Sequence, residues 1–334
     1  MKKLLGVLVF CACSVAGFSQ QDYQLSQFFN DKVSLNPAAA GMGDNCLGIF
    51  FREQWAGFSG NPTTFLVNYH QAVKQVGGGL GITVVSDRLG NQKLGQLTNE
   101  PGAGVDGHAI TNTGIRLNYS YHFKLSNGAK LGVGAALGYQ GVALGSDWYA
   151  VDGVLLDEAI PVNPESRGGF DMNLGVYYQA KKFWAGISST HLTAQDFNGN
   201  LFDFSTARHY YFMTGYQTPV SSSGDLVLFP SALVKSDFVS TSVDVNARLE
   251  WKNMFWGGLG VRTGLDALTP MVGFNYEIPG SSTFKSSVRL GYGYDVTLSE
   301  IKGFSSGTHE INLGYCWKFV RPVIRKAHGN PRFL

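Results

Sequence analysis

Charged residues are scarce in this sequence. They make up 15% of the 334 residues, against roughly 25% in ordinary soluble domains. Neither sign dominates: without Lys2 and Lys3, which belong to the N-terminal segment discussed below, the 26 basic residues fall to 24 and equal the 24 acidic ones. A neutral mature chain lacks the basic excess of nucleic-acid-binding proteins, so we expect no nucleic-acid partner.

Long apolar runs are also missing. A helix that crosses a membrane needs about 20 consecutive apolar residues, and no such run follows residue 19. This excludes a helical membrane protein as the explanation for the low charge. Polar residues instead interrupt the apolar ones at every second position, as expected when one face of a strand meets lipid and the other meets a wet lumen.

Motifs for chemistry are absent as well. None of the seven histidines is paired with another at the spacing of metal ligands. The glycine-rich residues 77–81 lack the Lys-Ser/Thr that follows in a phosphate loop, and no nucleophile-elbow sequence occurs. We expect no enzyme activity, no cofactor and no metal site. A barrel hydrolase such as a lipase, with a triad assembled from distant positions, remains an alternative.

The first 19 residues predict a secretory signal peptide. Two lysines precede an apolar stretch over residues 4–12, and Gly17 and Ser19 supply the small residues of a cleavage site. The mature chain should therefore begin near Gln20. The alternative is a lipoprotein anchored at one of the two cysteines in this segment, although neither has the flanking residues that lipid attachment requires. These two cysteines are Cys11 and Cys13.

Alternation of apolar and polar residues is what the sequence has in abundance. Within residues 111–125 the large apolar side chains occupy every second position, at Ile115, Leu117, Tyr119, Tyr121, Phe123 and Leu125. Asn127-Gly128 follows at once, and this pair favours a tight hairpin turn. The pattern predicts a strand with one apolar face that leads into a β-hairpin.

The same pattern recurs and predicts fourteen strands. Their expected spans are 45–57, 63–72, 78–87, 111–125, 130–145, 169–179, 183–191, 207–217, 225–235, 240–251, 254–263, 269–278, 283–295 and 308–319. About ten tilted residues cover the ~25 Å apolar band of an outer membrane. The predicted fold is all-β, a transmembrane antiparallel up-and-down β-barrel of about 14 strands. Long and short connections alternate between these spans, as such a barrel requires.

The predicted organisation has four parts. A signal peptide covers residues 1–19, a periplasmic lead segment 20–44, the barrel 45–319 and a basic periplasmic tail 320–334. Cysteines open the first strand and end the last, so barrel closure would bring them together at one rim, where they either form a disulfide or remain two lumen thiols. These cysteines are Cys46 and Cys316.

Several blocks of the sequence carry a family likeness. Residues 24–30 read QLSQFFN, residues 35–41 read LNPAAAG and residues 51–58 read FREQWAGF. Towards the end, residues 292–295 read YGYD and residues 309–315 read HEINLGY. Together these blocks resemble the PorP/SprF family of the type IX secretion system of Bacteroidetes.

The resemblance implies an outer-membrane accessory protein of secretion that acts by binding. It implies a role in the export or surface retention of large adhesins, in a context that includes gliding motility, and of other cargo with a type B C-terminal domain. The implied periplasmic partners include a peptidoglycan-binding lipoprotein and the PorK/PorN ring. The outward mouth of the barrel would hold cargo, while the periplasmic segments would dock to the machinery.

Both ends of the mature chain supply candidate partner-binding residues. In the lead segment these are Asn36, Pro37 and Gly41, and in the tail they are Arg321, Arg325, Lys326 and Arg332. A barrel needs neither piece to close, so we expect both to be ordered and to form the docking surface. The alternative is a solvated lead segment and a frayed tail.

The first strand supplies three further candidates, Arg52, Gln54 and Trp55, which either bind a ligand or line the lumen and pair with neighbouring strands. The alternative function is a passive porin or small-molecule outer-membrane transporter, because a fourteen-strand barrel is wide enough for a water path. The loop over residues 146–168 is rich in large apolar side chains and can fold inward, which favours a plugged barrel.

Overall fold

Fourteen long antiparallel β-strands dominate the described chain. The computed structural model describes residues 22–58, 60–93, 106–145, 165–194, 196–198, 203–263 and 266–320. Within these residues the long strands are β1 (Asn45–Glu53), β2 (Thr63–Val73), β3 (Gly78–Lys93), β4 (Asp106–Lys124), β5 (Lys130–Leu144), β6 (Glu165–Gln179), β7 (Phe183–Thr190), β8 (His209–Tyr216), β9 (Leu226–Ser236), β10 (Thr241–Trp251), β11 (Phe255–Arg262), β12 (Ala267–Ile278), β13 (Phe284–Thr297) and β14 (Thr308–Phe319).

The strands pair in chain order and the sheet closes on itself. β1 pairs with β14, and β8 pairs with both β7 and β9. Two short additions lie outside this order: Asp196–Asn198 pairs with Asp203–Ser205, and Thr218–Pro219 pairs with β9. The closed fourteen-strand barrel confirms the predicted fold class. Closure satisfies the backbone polar groups without an edge, which is what a lipid environment demands of strands.

Helical structure is limited to short turns in the described residues. These are Phe28–Asn30, α1 (Lys32–Leu35), Pro37–Ala39, Lys74–Val76 and Glu300–Gly303. Over the same ranges, none of the helices has the length and apolar character that crossing a membrane would take.

The barrel is apolar outside and polar inside. In β4, Ile115 and Leu117 are 44% and 64% exposed, whereas Arg116 and Asn118 are each 3% exposed. Successive side chains of a strand point to opposite faces, so the sequence alternation becomes an apolar outer wall and a polar lumen. This is the reverse of a soluble protein and is the pattern of a barrel surrounded by lipid.

The connections define two rims. The connections after β1, β3, β5, β7, β9, β11 and β13 lie at what we call the long-loop rim, and the longest of them follow β3, β5, β7 and β13. The connections after the even-numbered strands lie at the opposite, short-turn rim, together with the start of β1 and the end of β14. This alternation is the one that the fourteen-strand prediction requires.

Some strand ends differ from the predicted ones. β1 ends at Glu53 rather than at residue 57, because Trp55 has a φ of 53° and leaves the extended conformation. β3 and β4 extend past the predicted limits, and their last pair joins Lys93 to Asp106. Backbone pairing continues there without apolar alternation, because the ladder needs only N–H and C=O groups.

Cys46 and Cys316 form a disulfide in the structure. The two residues face each other across the β1–β14 pair, the contact that closes the barrel. The bond therefore joins the first strand to the last.

We expect mass spectrometry of an unreduced digest to recover a peptide pair that links Cys46 to Cys316, because their register places the two thiols side by side. Reduction before digestion should separate the pair. Recovery of both cysteines as alkylated thiols without reduction would contradict the disulfide.

Candidate functional site

Residues 22–44, which we call the plug, lie inside the barrel. Phe28 and Asn36 within this segment are 0% exposed. Hydrogen bonds join the plug to strands on all sides, including β1, β2, β4, β7, β9, β10, β13 and β14. A segment bonded to strands around the whole of a closed barrel occupies its lumen.

The plug runs from the long-loop half of the lumen to the short-turn rim. At its start, the backbone of Asp22 accepts a hydrogen bond from Lys235 near the end of β9, at the long-loop rim. At its other end, Asp44 leads directly into β1 at the short-turn rim. The described plug therefore passes through the barrel from one half to the other.

This position corrects the prediction of a periplasmic lead segment over residues 20–44. The structure places residues 22–44 in the lumen rather than outside the rim. The physical reason is that the apolar side chains of the plug find a core there, packed against inward-facing side chains of the wall. That core includes Phe28, Val33, Leu35, Ala38, Tyr177, Tyr211 and Met213.

Small residues in the wall let the plug backbone approach closely. A Cβ on Gly134 would lie 2.5 Å from the backbone of Ala38, and a Cβ on Gly79 would overlap the carbonyl oxygen of Ala40. Any other residue at these two positions would push the plug away from the wall. The glycine-rich β5 thus provides a surface on which the plug packs.

A buried amide holds the middle of the plug. Asn36 donates from Nδ2 to the backbone oxygens of Val176 and Ile187, at 3.0 and 3.1 Å. Its Oδ1 accepts the backbone N–H of Ala38 at 3.0 Å. Because a buried amide is costly unless it is hydrogen-bonded, these contacts fix the plug against β6 and β7.

A buried charge cluster anchors the plug in the long-loop half. Arg52, 1% exposed, bridges two carboxylates: its Nη2 lies 2.7 Å from Asp295 and its Nη1 lies 2.9 Å from Glu310. Glu310 also accepts the backbone N–H groups of Ser26 and Gln27, each at 2.7 Å. The Ser26 hydroxyl donates to Asp295 at 2.8 Å. We call these five residues the Arg52 cluster.

A second anchor surrounds Asp22. Its carboxylate accepts the Tyr211 hydroxyl at 2.9 Å and lies 3.6 Å from His191, in the connection after β7. Burial alone would lower the pKa of His191, but the neighbouring carboxylates of Asp171 and Asp22 outweigh burial and raise this pKa to about 9. His191 is therefore cationic at neutral pH and compensates the charge of Asp22.

Four of the predicted partner-binding residues face the lumen. Asn36, Pro37 and Gly41 belong to the plug, and Arg52 belongs to the Arg52 cluster. The backbone N–H of Gly41 donates to the His70 ring at 3.3 Å. Their contacts in the structure are with the barrel itself, and for Arg52 this matches the alternative of lumen pairing.

The other predicted residues lie elsewhere. Gln54 and Trp55 lie in the connection after β1 at the long-loop rim, where the backbone N–H of Trp55 donates to the Thr308 hydroxyl at 3.1 Å. The basic tail residues lie outside the described residues, as does most of the loop that we expected to fold inward. These tail residues are Arg321, Arg325, Lys326 and Arg332.

Sequence reasoning missed most of the Arg52 cluster, namely Ser26, Gln27, Asp295 and Glu310. One signal was available, because closing β1 onto β14 in register puts Arg52 directly opposite Glu310. Opposite charges on facing inward positions predict a buried pair. Over the described part of the chain, no group of three or more His, Cys, Asp or Glu side chains is arranged to hold a metal ion.

Comparison with protein families gives a match over most of the chain. The family model described as "Type IX secretion system membrane protein PorP/SprF" matches residues 17–315. The comparison with curated proteins found no match.

Solved structures with a similar fold are outer-membrane barrels. A "TodX deltaS2S3 mutant monoaromatic hydrocarbon channel" has a TM-score of 0.50 and 10% identity, with 86% of this chain and 94% of that chain covered. The Pseudomonas putida toluene transporter TodX has a TM-score of 0.49 and 10% identity, with 90% and 95% covered. A Pseudomonas aeruginosa FadL homologue has a TM-score of 0.47 and 9% identity, with 85% and 92% covered. At this level of identity the similarity concerns the fold alone.

Proposed function

Because the chain belongs to the PorP/SprF family of type IX secretion system membrane proteins, we propose that it is a non-catalytic accessory component of protein secretion in the outer membrane. It binds and retains, or helps to export, a large surface adhesin or other cargo with a type B C-terminal domain. Its periplasmic side docks to secretion components such as a peptidoglycan-binding lipoprotein and the PorK/PorN ring.

The filled lumen is the observation that carries this proposal. The plug is continuous with β1 and is held by buried charges at its start and by a buried amide in its middle. A passive porin needs an open water path through its lumen. In this barrel such a path would require the Arg52 cluster to break. A barrel whose lumen is occupied by its own chain is better suited to presenting binding surfaces at its two rims.

Exposed aromatic side chains support cargo binding at the long-loop rim. Phe238, in the connection after β9, is 80% exposed, and Phe304, in the connection after β13, is 73% exposed. The Phe238 ring packs on Tyr210, 4.5 Å between ring centres, so it contributes to an apolar patch at this rim. Apolar patches outside the band that lipid covers are suited to contact with a partner.

Partner recovery from the native bacterium tests the proposal. A tagged intact chain should co-purify with both a secreted cargo protein and periplasmic components. The double variant Phe238→Ser with Phe304→Ser should lose most of the cargo and keep the periplasmic components. A chain truncated after Phe319 should remain a folded barrel, judged by heat-modifiable electrophoretic mobility, and should lose export and the periplasmic components.

Phe319→Ser is the matched control, since this side chain is 75% exposed at the opposite rim and its loss should not change cargo recovery. Normal secretion by the truncated chain would contradict docking through the tail. The alternative, a porin or small-molecule transporter, predicts steady conductance of the intact protein in planar bilayers and no co-purifying secretion proteins.

A further inference from the structure

A cavity of about 530 Å³ lies between the plug and the short-turn rim. We call it the vestibule. Its inner wall is formed by the plug, including Phe29 and Lys32, and its mouth by turn residues such as Lys181, Lys182 and Asn253. Its volume falls within the range of about 300–1,000 Å³ typical of ligand pockets.

The vestibule carries more positive than negative charge. Five basic and three acidic side chains line it, and two of the acidic ones are already paired: Asp44 lies 3.4 Å from Arg289, and Glu250 lies 3.8 Å from Arg248. The third carboxylate is the exposed Glu277. The basic residues left without an ion pair among the described residues are Lys32, Lys181 and Lys182.

Aromatic rings hold the two innermost basic side chains. The Lys32 ammonium lies 4.1 Å from the centre of the Trp184 ring. The Arg248 guanidinium lies 4.8 Å from the ring centre of Phe29 and 4.7 Å from that of Phe229. Ring faces attract a cation while leaving its N–H groups free to donate, so both side chains are pre-positioned for an acceptor.

One N–H donor of Arg248 has no hydrogen-bond acceptor. The Nε of Arg248 is buried and makes no hydrogen bond within the described structure. Buried donors are rarely left without a partner, because the cost of desolvating them is then not recovered. The Arg248 side chain as a whole is 16% exposed, so an anionic group in the vestibule would reach its guanidinium beside this buried Nε and would bring negative charge to Lys32.

We propose that the vestibule binds an acidic stretch of a polypeptide, with a carboxylate seated between Lys32 and Arg248. The lysines in the turn after β6 attract the acidic chain to the mouth, and aromatic walls and side-chain amides accommodate its backbone. A small inorganic anion would fill only a fraction of this volume. The inference rests on the proposed function only in taking the ligand to be a polypeptide.

Fluorescence anisotropy with the full-length protein in detergent tests the site, using a fluorescein-labelled hexaglutamate peptide with an amidated C-terminus. The intact protein should bind this probe and should not bind the matched hexaserine peptide. Lys32→Gln and Arg248→Gln should each weaken binding about tenfold, the loss expected for one charge-assisted hydrogen bond. Heat-modifiable electrophoretic mobility checks that each variant is folded. If Arg248→Gln does not fold, the binding measured for Lys32→Gln alone tests the proposal.

Lys252→Gln is the matched control, because Lys252 lies at the same rim but packs on Trp251, and neither residue lines the vestibule. Equal losses for Lys252→Gln and Lys32→Gln would overturn the proposal in favour of general attraction to a basic rim. A short-chain phosphatidylglycerol that binds where the peptide does not would overturn it in favour of a lipid headgroup. Peptide binding by a protein that recovers no secretion partner would overturn the secretion role and leave the site intact.

Discussion

Deletion of residues 23–40 should convert a barrel that conducts little or nothing into an open pore. These residues form most of the plug, and the fourteen-strand wall that remains encloses a lumen wide enough for a water path. Single-channel recording in planar bilayers should show discrete conductance steps for nearly every inserted deletion barrel. The intact protein should stay at the baseline under the same conditions.

A single substitution tests the same idea if the deletion variant does not fold. Asn36→Leu keeps the plug but removes the hydrogen bonds to β6 and β7, so we expect brief openings rather than a steady pore. A folded deletion barrel that stays at the baseline would mean that other residues fill the lumen. Steady conductance by the intact protein would support the porin alternative.

Arg52→Met should cost about 3–5 kcal/mol of unfolding free energy, because it leaves the Glu310 carboxylate buried without a cation and leaves Asp295 with only the Arg262 guanidinium, 3.6 Å away. Urea unfolding of the detergent-solubilised barrel measures this loss. Neutralising both acids in the same chain, with Asp295→Asn and Glu310→Gln, should recover part of it. Such recovery would separate the loss of charge balance from a simple loss of packing.

Arg167→Met is the matched control for this substitution. Arg167 pairs with Glu165 at 2.7 Å, but its side chain is 41% exposed. An exposed ion pair contributes about 1 kcal/mol or less. If the two Arg→Met variants lost similar stability, the Arg52 cluster would not be the anchor that its geometry indicates.

The barrel was predictable because its sequence signal is local. In β4 every second residue from Ile115 to Phe123 is apolar, and the other strands of the wall follow the same alternation. Asn127-Gly128 marks the turn where the chain reverses. Such signals need only neighbouring residues, and they fixed the number of strands and the order of their connections.

The plug was not predictable in this way. Its one α-helix has four residues, too few to show a helical period. The contacts that place it are distant in the chain: Ser26 and Glu310 are separated by 284 positions. The apolar residues of the plug therefore predict that the segment is buried. They do not predict whether it is buried in the lumen or at an outer rim, because that depends on which side chains line the lumen.

The Arg52 cluster was predictable only in part. Its members on β1 and β14 face each other once the barrel is closed, so the fold prediction contained the Arg52–Glu310 pair. The sequence did not predict that Asp295, Ser26 and Gln27 join this pair. No local pattern shows which inward-facing positions of different strands lie at the same depth in the barrel. Strand ends were also uncertain, since β3 and β4 remain paired beyond the apolar alternation.

The cluster also bears on the order in which the chain assembles. Glu310 lies on the last strand, while Arg52 and its plug partners lie before or within the first strand. We expect contacts between such distant positions to form late, because the entropy of closing a long loop must be overcome first. The pairing of β14 with β1 also brings the Glu310 carboxylate within hydrogen-bond distance of the backbone N–H groups of Ser26 and Gln27. Enclosure of the plug and sealing of the wall therefore belong to the same step, and the N-terminal segment is committed to the interior as the barrel becomes complete.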